Sequence, residues 1–146
     1  MAMKRAFYLL AALLCGTLGA AAQSSIVARM TNIRNDKGVC RVCVFDKAEA
    51  FKGESGSPVQ CQQVAVQGGT AEATFSGLPA GNYAVFVFHD ANNNNKMDKN
   101  FLGIPKEGYG ASRNNLPFAA APSFDGNRIT IADKTTTTVR IRLRNL

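Results

Sequence analysis

The chain has 146 residues, of which 46% are hydrophobic, and a formal net charge of +7 at neutral pH. A chain of this length forms one domain and buries enough apolar surface to fold without a metal or a disulfide framework. No aromatic or helical recognition element accompanies the basic charge, so the composition argues against a nucleic-acid-binding protein.

The first 22 residues have the composition of a cleaved secretory signal peptide. A basic pair precedes an apolar run over residues 6–14, and the segment ends in Ala-Ala-Ala22, a signal-peptidase site. The run is too short to span a bilayer, and a large residue before Cys15 argues against lipidation of that cysteine. We therefore predict cleavage after Ala22, export to the periplasm or beyond, and a single mature domain over residues 23–146.

Short strands separated by turn residues fill most of the mature chain. Apolar and β-branched segments alternate with Gly-, Pro- and Asn-rich turns, and only residues 47–51 have the composition of a helical turn. This pattern predicts an all-β fold, a seven-stranded β-sandwich. The predicted strands are residues 25–33, 39–45, 59–66, 70–75, 83–88, 128–131 and 136–143.

Three cysteines remain after removal of the signal peptide. Cys40 and Cys43 have the spacing of a redox or zinc motif, but on a strand positions three apart point to opposite faces, which disfavours both. Burial of Val42 and Val44 would turn Cys40 inward and Cys43 outward. In an oxidising compartment we expect one cross-strand disulfide, from Cys61 to Cys43 or Cys40, with one thiol left over.

Three arginines alternate with apolar residues near the end of the chain. Arg140, Arg142 and Arg144 therefore share one face of the last predicted strand. Such a stripe could contact an acidic membrane or a polysaccharide surface. The alternative, which we favour, is a solvated strand face that also prevents a sheet edge from pairing with another chain.

One connection, residues 90–127, is unusually long and has neither strand nor helix period. Ordered loops of this length are usually functional. Its apolar side chains predict an ordered excursion over one end of the sandwich. These side chains are Phe101, Leu102, Ile104, Tyr109, Leu116, Phe118 and Phe124.

The first residues of the long loop carry side-chain oxygens at alternating positions. Calcium-binding loops use this spacing to surround the cation with oxygen ligands. We therefore predict a Ca²⁺ site, and disfavour Mg²⁺ because it demands stricter octahedral geometry. The candidate ligands, at the first, third, fifth, seventh and ninth positions of a calcium loop, are Asp90, Asn92, Asn94, the backbone carbonyl of Lys96, and Asp98.

Two positions depart from the calcium pattern. Asn95 stands where glycine is usual, and Phe101 replaces the bidentate glutamate at the last position. Glu107 could fold back to supply the missing carboxylate. With few carboxylates we expect weak binding, with a dissociation constant of about 0.1 to 1 mM. The alternative is an ion-free loop held by its own side-chain-to-backbone hydrogen bonds.

The central part of the chain resembles a known bacterial family. The segments LPAGNYAVFVFHD at residues 78–90 and FLGIPKEGYGAS at residues 101–112 are similar to the exported family called domain of unknown function 2141. The resemblance covers the mature chain and implies an immunoglobulin-like or transthyretin-like sandwich, related to the carboxypeptidase regulatory domain, and no established activity. The family pattern His-Asp-x-Asn-x-Asn-x-x-x-Asp is matched at His89, Asp90, Asn92, Asn94 and Asp98.

The sequence has no clear catalytic constellation. Its one histidine, His89, lacks the companions of a zinc site and is predicted to be packed or hydrogen-bonded on its strand. Asp98 and Glu107 could form the carboxylate pair of a glycoside hydrolase, but two acids beside a predicted cation are better explained as ligands. We therefore expect a protein that is not an enzyme.

Two hypotheses for the function remain. In the first, the cation-ordered loop presents an interaction surface to an unidentified protein, formed by His89, Phe101, Pro105, Tyr109 and Ser112. In the second, the domain is a carrier or enzyme accessory that holds a small ligand under residues 90–126, against Tyr83, His89 and Tyr109. An apolar pocket beneath the loop would favour the carrier, and a flat exposed patch would favour the interaction module.

Overall fold

The computed structural model describes residues 23–146. The predicted signal peptide lies outside these residues. Among the helices of the described part, none is long and apolar enough to cross a membrane.

Eight strands and two single-turn helices make up the described domain. The strands are β1 (Ser24–Thr31), β2 (Val39–Phe45), β3 (Gln60–Ala65), β4 (Ala71–Leu78), β5 (Gly81–Asp90), β6 (Tyr109–Ala111), β7 (Ile129–Ile131) and β8 (Thr136–Arg142). The helices are α1 (Ala48–Phe51) and α2 (Phe124–Asn127). Seven strands match the predicted segments. The eighth, β6, lies inside the predicted loop and becomes a strand because it pairs with β5.

The strands form two sheets that pack face to face, which confirms the predicted all-β sandwich. One sheet has the order β4-β1-β8, with β1 antiparallel to β4 and parallel to β8. The other has the order β3-β2-β5-β6, and β7 pairs with the start of β5. Each large apolar side chain buried between the sheets stabilises the fold by about 1.5 to 3 kcal/mol. The largest include Ile26, Met30, Val42, Val44, Phe75, Val85, Val87, Ile141 and Leu143.

A disulfide joins β2 to β3 on the outer face of the larger sheet. Cys43 and Cys61 are directly opposed in the register and form the disulfide. Of the two predicted pairings, the one with Cys43 is therefore present. Closing a loop of this length stabilises a fold by about 3 kcal/mol. Cys40 is free and faces the core with Val42 and Val44. Burial raises the pKa of the Cys40 thiol to about 12, which keeps it protonated at neutral pH.

The outer edge of β8 is covered by a loop side chain rather than by another strand. The amide of Asn114 donates to the carbonyl of Arg140 at 3.0 Å and accepts the N–H of Arg142 at 2.8 Å. Both arginine side chains are exposed. Arg144 departs from the predicted stripe, because its guanidinium is half-buried and donates to the carbonyls of residues 116–117.

Candidate functional site

The end of β5 delivers two buried polar residues, His89 and Asp90, to the start of the long loop. The imidazole Nε2 of His89 lies 2.6 Å from the carbonyl oxygen of Lys37. The turn before β2 approaches closely here, and Gly38, with φ of +64°, allows it because any Cβ would overlap the carbonyl of Asp90. His89 is therefore a hydrogen-bonded strand residue, as predicted.

Asp90 is fully buried and forms an ion pair with Arg41 of the neighbouring strand β2. Its Oδ2 accepts hydrogen bonds from Arg41 Nε and, at 3.0 Å, from the backbone N–H of Asn95, while Oδ1 accepts the N–H of Asn94 at 3.1 Å. Burial raises the pKa of Asp90, but the hydrogen bonds from Arg41 and the two backbone groups outweigh it, so the pKa is lowered. Asp90 thus holds the loop to the sheet.

The rest of the Asp/Asn loop is closed by its own amides. The Nδ2 groups of Asn92 and Asn94 donate to the two carboxylate oxygens of Asp98, at 2.6 and 2.7 Å. Their Oδ1 atoms accept the backbone N–H two residues further on. The hydrogen bonds from Asn94 and Asn92 lower the pKa of Asp98. Asn95 adopts a left-handed backbone with φ of +67°, as its position in the loop requires.

The predicted calcium ligands are only partly brought together. Asn92, Asn94 and Glu107 surround Asp98, and Glu107 Oε2 accepts the backbone N–H of Asp98 at 3.1 Å. The carboxylate of Asp90 is instead engaged by Arg41 and by backbone N–H groups. Within residues 23–146, no group of three or more His, Cys, Asp or Glu side chains could hold a metal ion. Two carboxylates, those of Asp98 and Glu107, lie together here, so a cation would also need amide and backbone oxygens as ligands.

A narrow hairpin, residues 99–105, follows the Asp/Asn loop. Its two arms pair at residues 99 and 105, and Asn100 N–H donates to the carbonyl of Ile104 at 2.9 Å. The side-chain oxygen of Asn100 accepts the N–H groups of Leu102 at 2.9 Å and Ile104 at 3.0 Å. These bonds hold the tip in a tight turn, where Phe101 is 94% exposed.

The returning part of the loop is held by one buried amide, Asn127. Its Oδ1 accepts the N–H groups of Arg113 and Asn115, and its Nδ2 donates to the carbonyls of Asn115 and Ser123, all at 3.0–3.2 Å. Ser112 Oγ donates to the carbonyl of Asn127 and accepts an N–H of β5. Asn127 was not predicted from the sequence, in which it is one polar residue among many.

An open apolar cleft of about 1,060 Å³ lies between the hairpin and residues 118–123. Its floor is the outer face of the larger sheet, where the ring of Phe86 lies 6.1 Å from that of Phe51 and 6.4 Å from that of Tyr109. Three charged residues, Lys52, Glu54 and Lys99, also line it. Most of the remaining large lining side chains are apolar, and they include Met97, Leu102, Ile104, Pro105, Phe118 and Leu146.

Alternation along β5 separates residues that were predicted to share one surface. Tyr83 and His89 are on the inward face of the strand, so neither lines the cleft, whereas Phe86 on the outward face does. Ser112 is buried and makes two side-chain hydrogen bonds, so it is not on the surface. Tyr109 lies in the cleft floor. The two remaining predicted surface residues are on the hairpin, namely Phe101 and Pro105.

Comparison with known proteins assigns the family. Residues 28–139 match the model of the family described as "Uncharacterized protein conserved in bacteria (DUF2141)". A comparison with curated proteins found no match. Among solved structures, a fimbrial assembly protein from Parabacteroides distasonis is similar over 84% of this chain and 53% of that one, with 14% identity and a TM-score of 0.46. The chain thus spans about half the length of that protein. Because the family match covers most of the sequence, the protein belongs to this bacterial family.

Proposed function

We propose that the protein is a non-catalytic, exported binding module that holds a small, largely apolar ligand in the cleft. The observation that carries this proposal is the aromatic floor of the cleft, in which Phe51 and Phe86 are half-buried and Tyr109 is buried beside Phe86. The volume of the cleft is slightly above the range of about 300 to 1,000 Å³ that is usual for small-molecule sites. A recessed apolar floor favours a carrier over a flat interaction surface. The Cys43–Cys61 disulfide supports export, because such bridges persist in oxidising compartments.

The charges at the cleft favour a ligand with an anionic group. Lys52 lies 3.9 Å from Glu54. Lys99 is exposed and forms no ion pair with any described residue. A ligand with an acyl chain and a carboxylate would place its chain on the aromatic floor and its charge beside Lys99. We therefore propose a long-chain fatty acid or a similar amphiphile.

Binding of a fluorescent long-chain fatty acid tests this function. We expect saturable binding that weakens about tenfold or more in a Phe86→Ser variant, because a polar floor residue removes about 1.5 to 3 kcal/mol of apolar contact. Phe88→Ser is the matched control, since Phe88 is also half-buried on the same face of β5 but does not line the cleft. Equal weakening in both variants, or no saturable binding to the unmodified protein, would contradict the proposal.

A second candidate function is calcium binding in the Asp/Asn loop. It is favoured by the arrangement of Asn92, Asn94 and Glu107 around Asp98. Rotation of the two amides about their terminal torsions would turn their oxygens toward the Asp98 carboxylate, where a cation could replace the present N–H donors. The rotation would give up the hydrogen bonds that these oxygens now accept from the N–H groups of Asn94 and Lys96. Arg41 neutralises Asp90, so the affinity should be low.

Thermal melts in chelator and in millimolar calcium test this second candidate. With the predicted affinity, calcium should stabilise the protein by about 0.4 to 1.4 kcal/mol, a shift of a few degrees. Asp98→Asn should abolish the shift, and Asp125→Asn, which removes an exposed carboxylate elsewhere, should leave it unchanged. Magnesium should have little effect. A calcium shift that survives Asp98→Asn, or no shift at all, would rule out this site.

A further inference from the structure

The rim of the cleft carries large apolar side chains that no described residue covers. Phe118 is 97% exposed, Phe101 94%, Leu102 68%, Leu146 54% and Ile104 42%. Single exposed apolar residues are ordinary, but several at one place mark an interaction surface. We call these five residues the apolar rim. Four of them line the cleft, and Phe101 is beside them at the hairpin tip.

The tip of the hairpin is built to project its side chains. Asn100 closes the turn through its side-chain oxygen and through its carbonyl, which accepts the N–H of Gly103 at 2.9 Å. Gly103 takes a left-handed conformation, with φ of +78°, that suits glycine. Phe101 and Leu102 are therefore held outward by an ordered turn, and their exposure is a property of the local fold.

Three lysines close in sequence to the hairpin residues give this segment an excess of positive charge. Lys96, Lys99 and Lys106 are exposed, and none forms an ion pair with a residue in the described part of the chain. The two acids of this segment, Asp98 and Glu107, are half-buried and accept hydrogen bonds within the loop. Projecting apolar side chains flanked by lysines are typical of proteins that lie on a membrane surface.

From these observations we infer that the apolar rim docks on an anionic lipid bilayer. Phe101, Leu102 and Phe118 enter the boundary between headgroups and acyl chains, and the lysines contact lipid phosphates. The lysines favour an anionic bilayer over a neutral one, since each lysine near an anionic leaflet increases the partition coefficient of the protein by about fivefold. The inference does not depend on ligand binding in the cleft, although it would place the mouth of the cleft at the source of an acyl ligand.

Vesicle flotation with residues 23–146, which contain both sheets and the whole core, tests the inference. We expect binding to vesicles of phosphatidylglycerol and phosphatidylcholine that weakens as salt is raised, and little binding to phosphatidylcholine alone. Changing Phe101→Ser together with Leu102→Ser should weaken binding about tenfold or more. Lys99→Gln and Lys106→Gln should each weaken it about fivefold. These side chains are exposed, so the variants should fold.

Matched controls locate the binding surface. Lys134 is exposed in the turn after β7, which pairs with the opposite end of β5, so Lys134→Gln should bind like the unmodified protein. Phe86→Ser should also keep vesicle binding while losing fatty-acid binding, which separates this inference from the proposed function. The inference is overturned by equal binding to neutral vesicles, by no binding, or by binding that fails only when Arg140 and Arg142 are changed to glutamine.

Discussion

Replacing Asp90 with alanine is expected to lower the free energy of unfolding by about 3 to 5 kcal/mol, the range for removing one partner of a buried ion pair. The change would leave the guanidinium of Arg41, whose side chain is 15% exposed, without its carboxylate. It would also leave the N–H groups of Asn94 and Asn95 without their acceptor. Urea unfolding followed by circular dichroism measures the loss.

An exposed ion pair in the same protein provides the control. Arg29 and Glu72 are each about half exposed and their charged groups lie 2.8 Å apart, so Glu72→Ala should cost less than about 1 kcal/mol. In a double-mutant cycle, Arg41→Met should recover part of the loss in the Asp90 variant, because it removes the unpaired charge. If Asp90→Ala costs no more than Glu72→Ala, the pair does not anchor the loop.

The contribution of Asp90 should also depend on pH. Its pKa in the folded state is lowered, since the hydrogen bonds from Arg41 and the backbone outweigh the opposing effect of burial. The stabilisation is therefore present above the unfolded-state pKa of about 3.9, and is lost as pH falls through the lower folded-state pKa. We expect the difference in stability between the unmodified protein and Asp90→Asn to shrink below about pH 4.

The second large effect is expected at Asn127, where leucine should cost about 2 to 4 kcal/mol. Leucine has a similar size but cannot make the four hydrogen bonds of the amide, and each polar group left unpaired in a buried site costs about 1 to 3 kcal/mol. The partners of Asn127 are backbone groups of residues 113–115 and of Ser123. The loss of stability should therefore be largest in the returning part of the loop, which forms one wall of the cleft. Denaturant unfolding gives its size, and amide hydrogen exchange gives its location.

Asn82 provides the comparison for this variant. Its amide is exposed and accepts one hydrogen bond, from Thr130 Oγ1 at 2.8 Å, so Asn82→Ala should change stability by about 0.5 kcal/mol at most. We further expect Asn127→Leu to weaken fatty-acid binding, since it loosens a wall of the cleft without touching the floor. Unchanged exchange rates over residues 113–123 would show that this amide does not order the wall.

These two residues explain how a long connection stays ordered at the edge of the sandwich. Asp90 ties the outgoing end of the excursion to β2 through Arg41, and Asn127 ties the returning end to the segment after β6. Between these points the chain adds a hairpin and one short strand, and it leaves an apolar cleft over the sheet. The sandwich supplies the floor of the candidate site, and the long connection supplies its walls.

Local patterns in the sequence determined much of this protein. Alternation of apolar and polar residues placed seven strands and turned Cys40 toward the core, because side-chain direction on a strand follows a period of two. The spacing of Asp and Asn located the loop turn, and the pair Asn100 and Gly103 is the sequence signal for the turn of the hairpin.

Contacts between distant parts of the chain decided the rest. The strand β6 exists only because it meets β5, and Asp90 became an anchor because Arg41, 49 residues away, reaches it. The same holds for Asn127, whose amide is satisfied by backbone groups 12 to 14 residues earlier. Periodicity indicates which face of the sheet a side chain is on. The role of a buried polar group depends instead on the hydrogen-bond partners that the tertiary fold places beside it. The strands were therefore determined by the sequence itself, and the cleft and its two anchors by the tertiary structure.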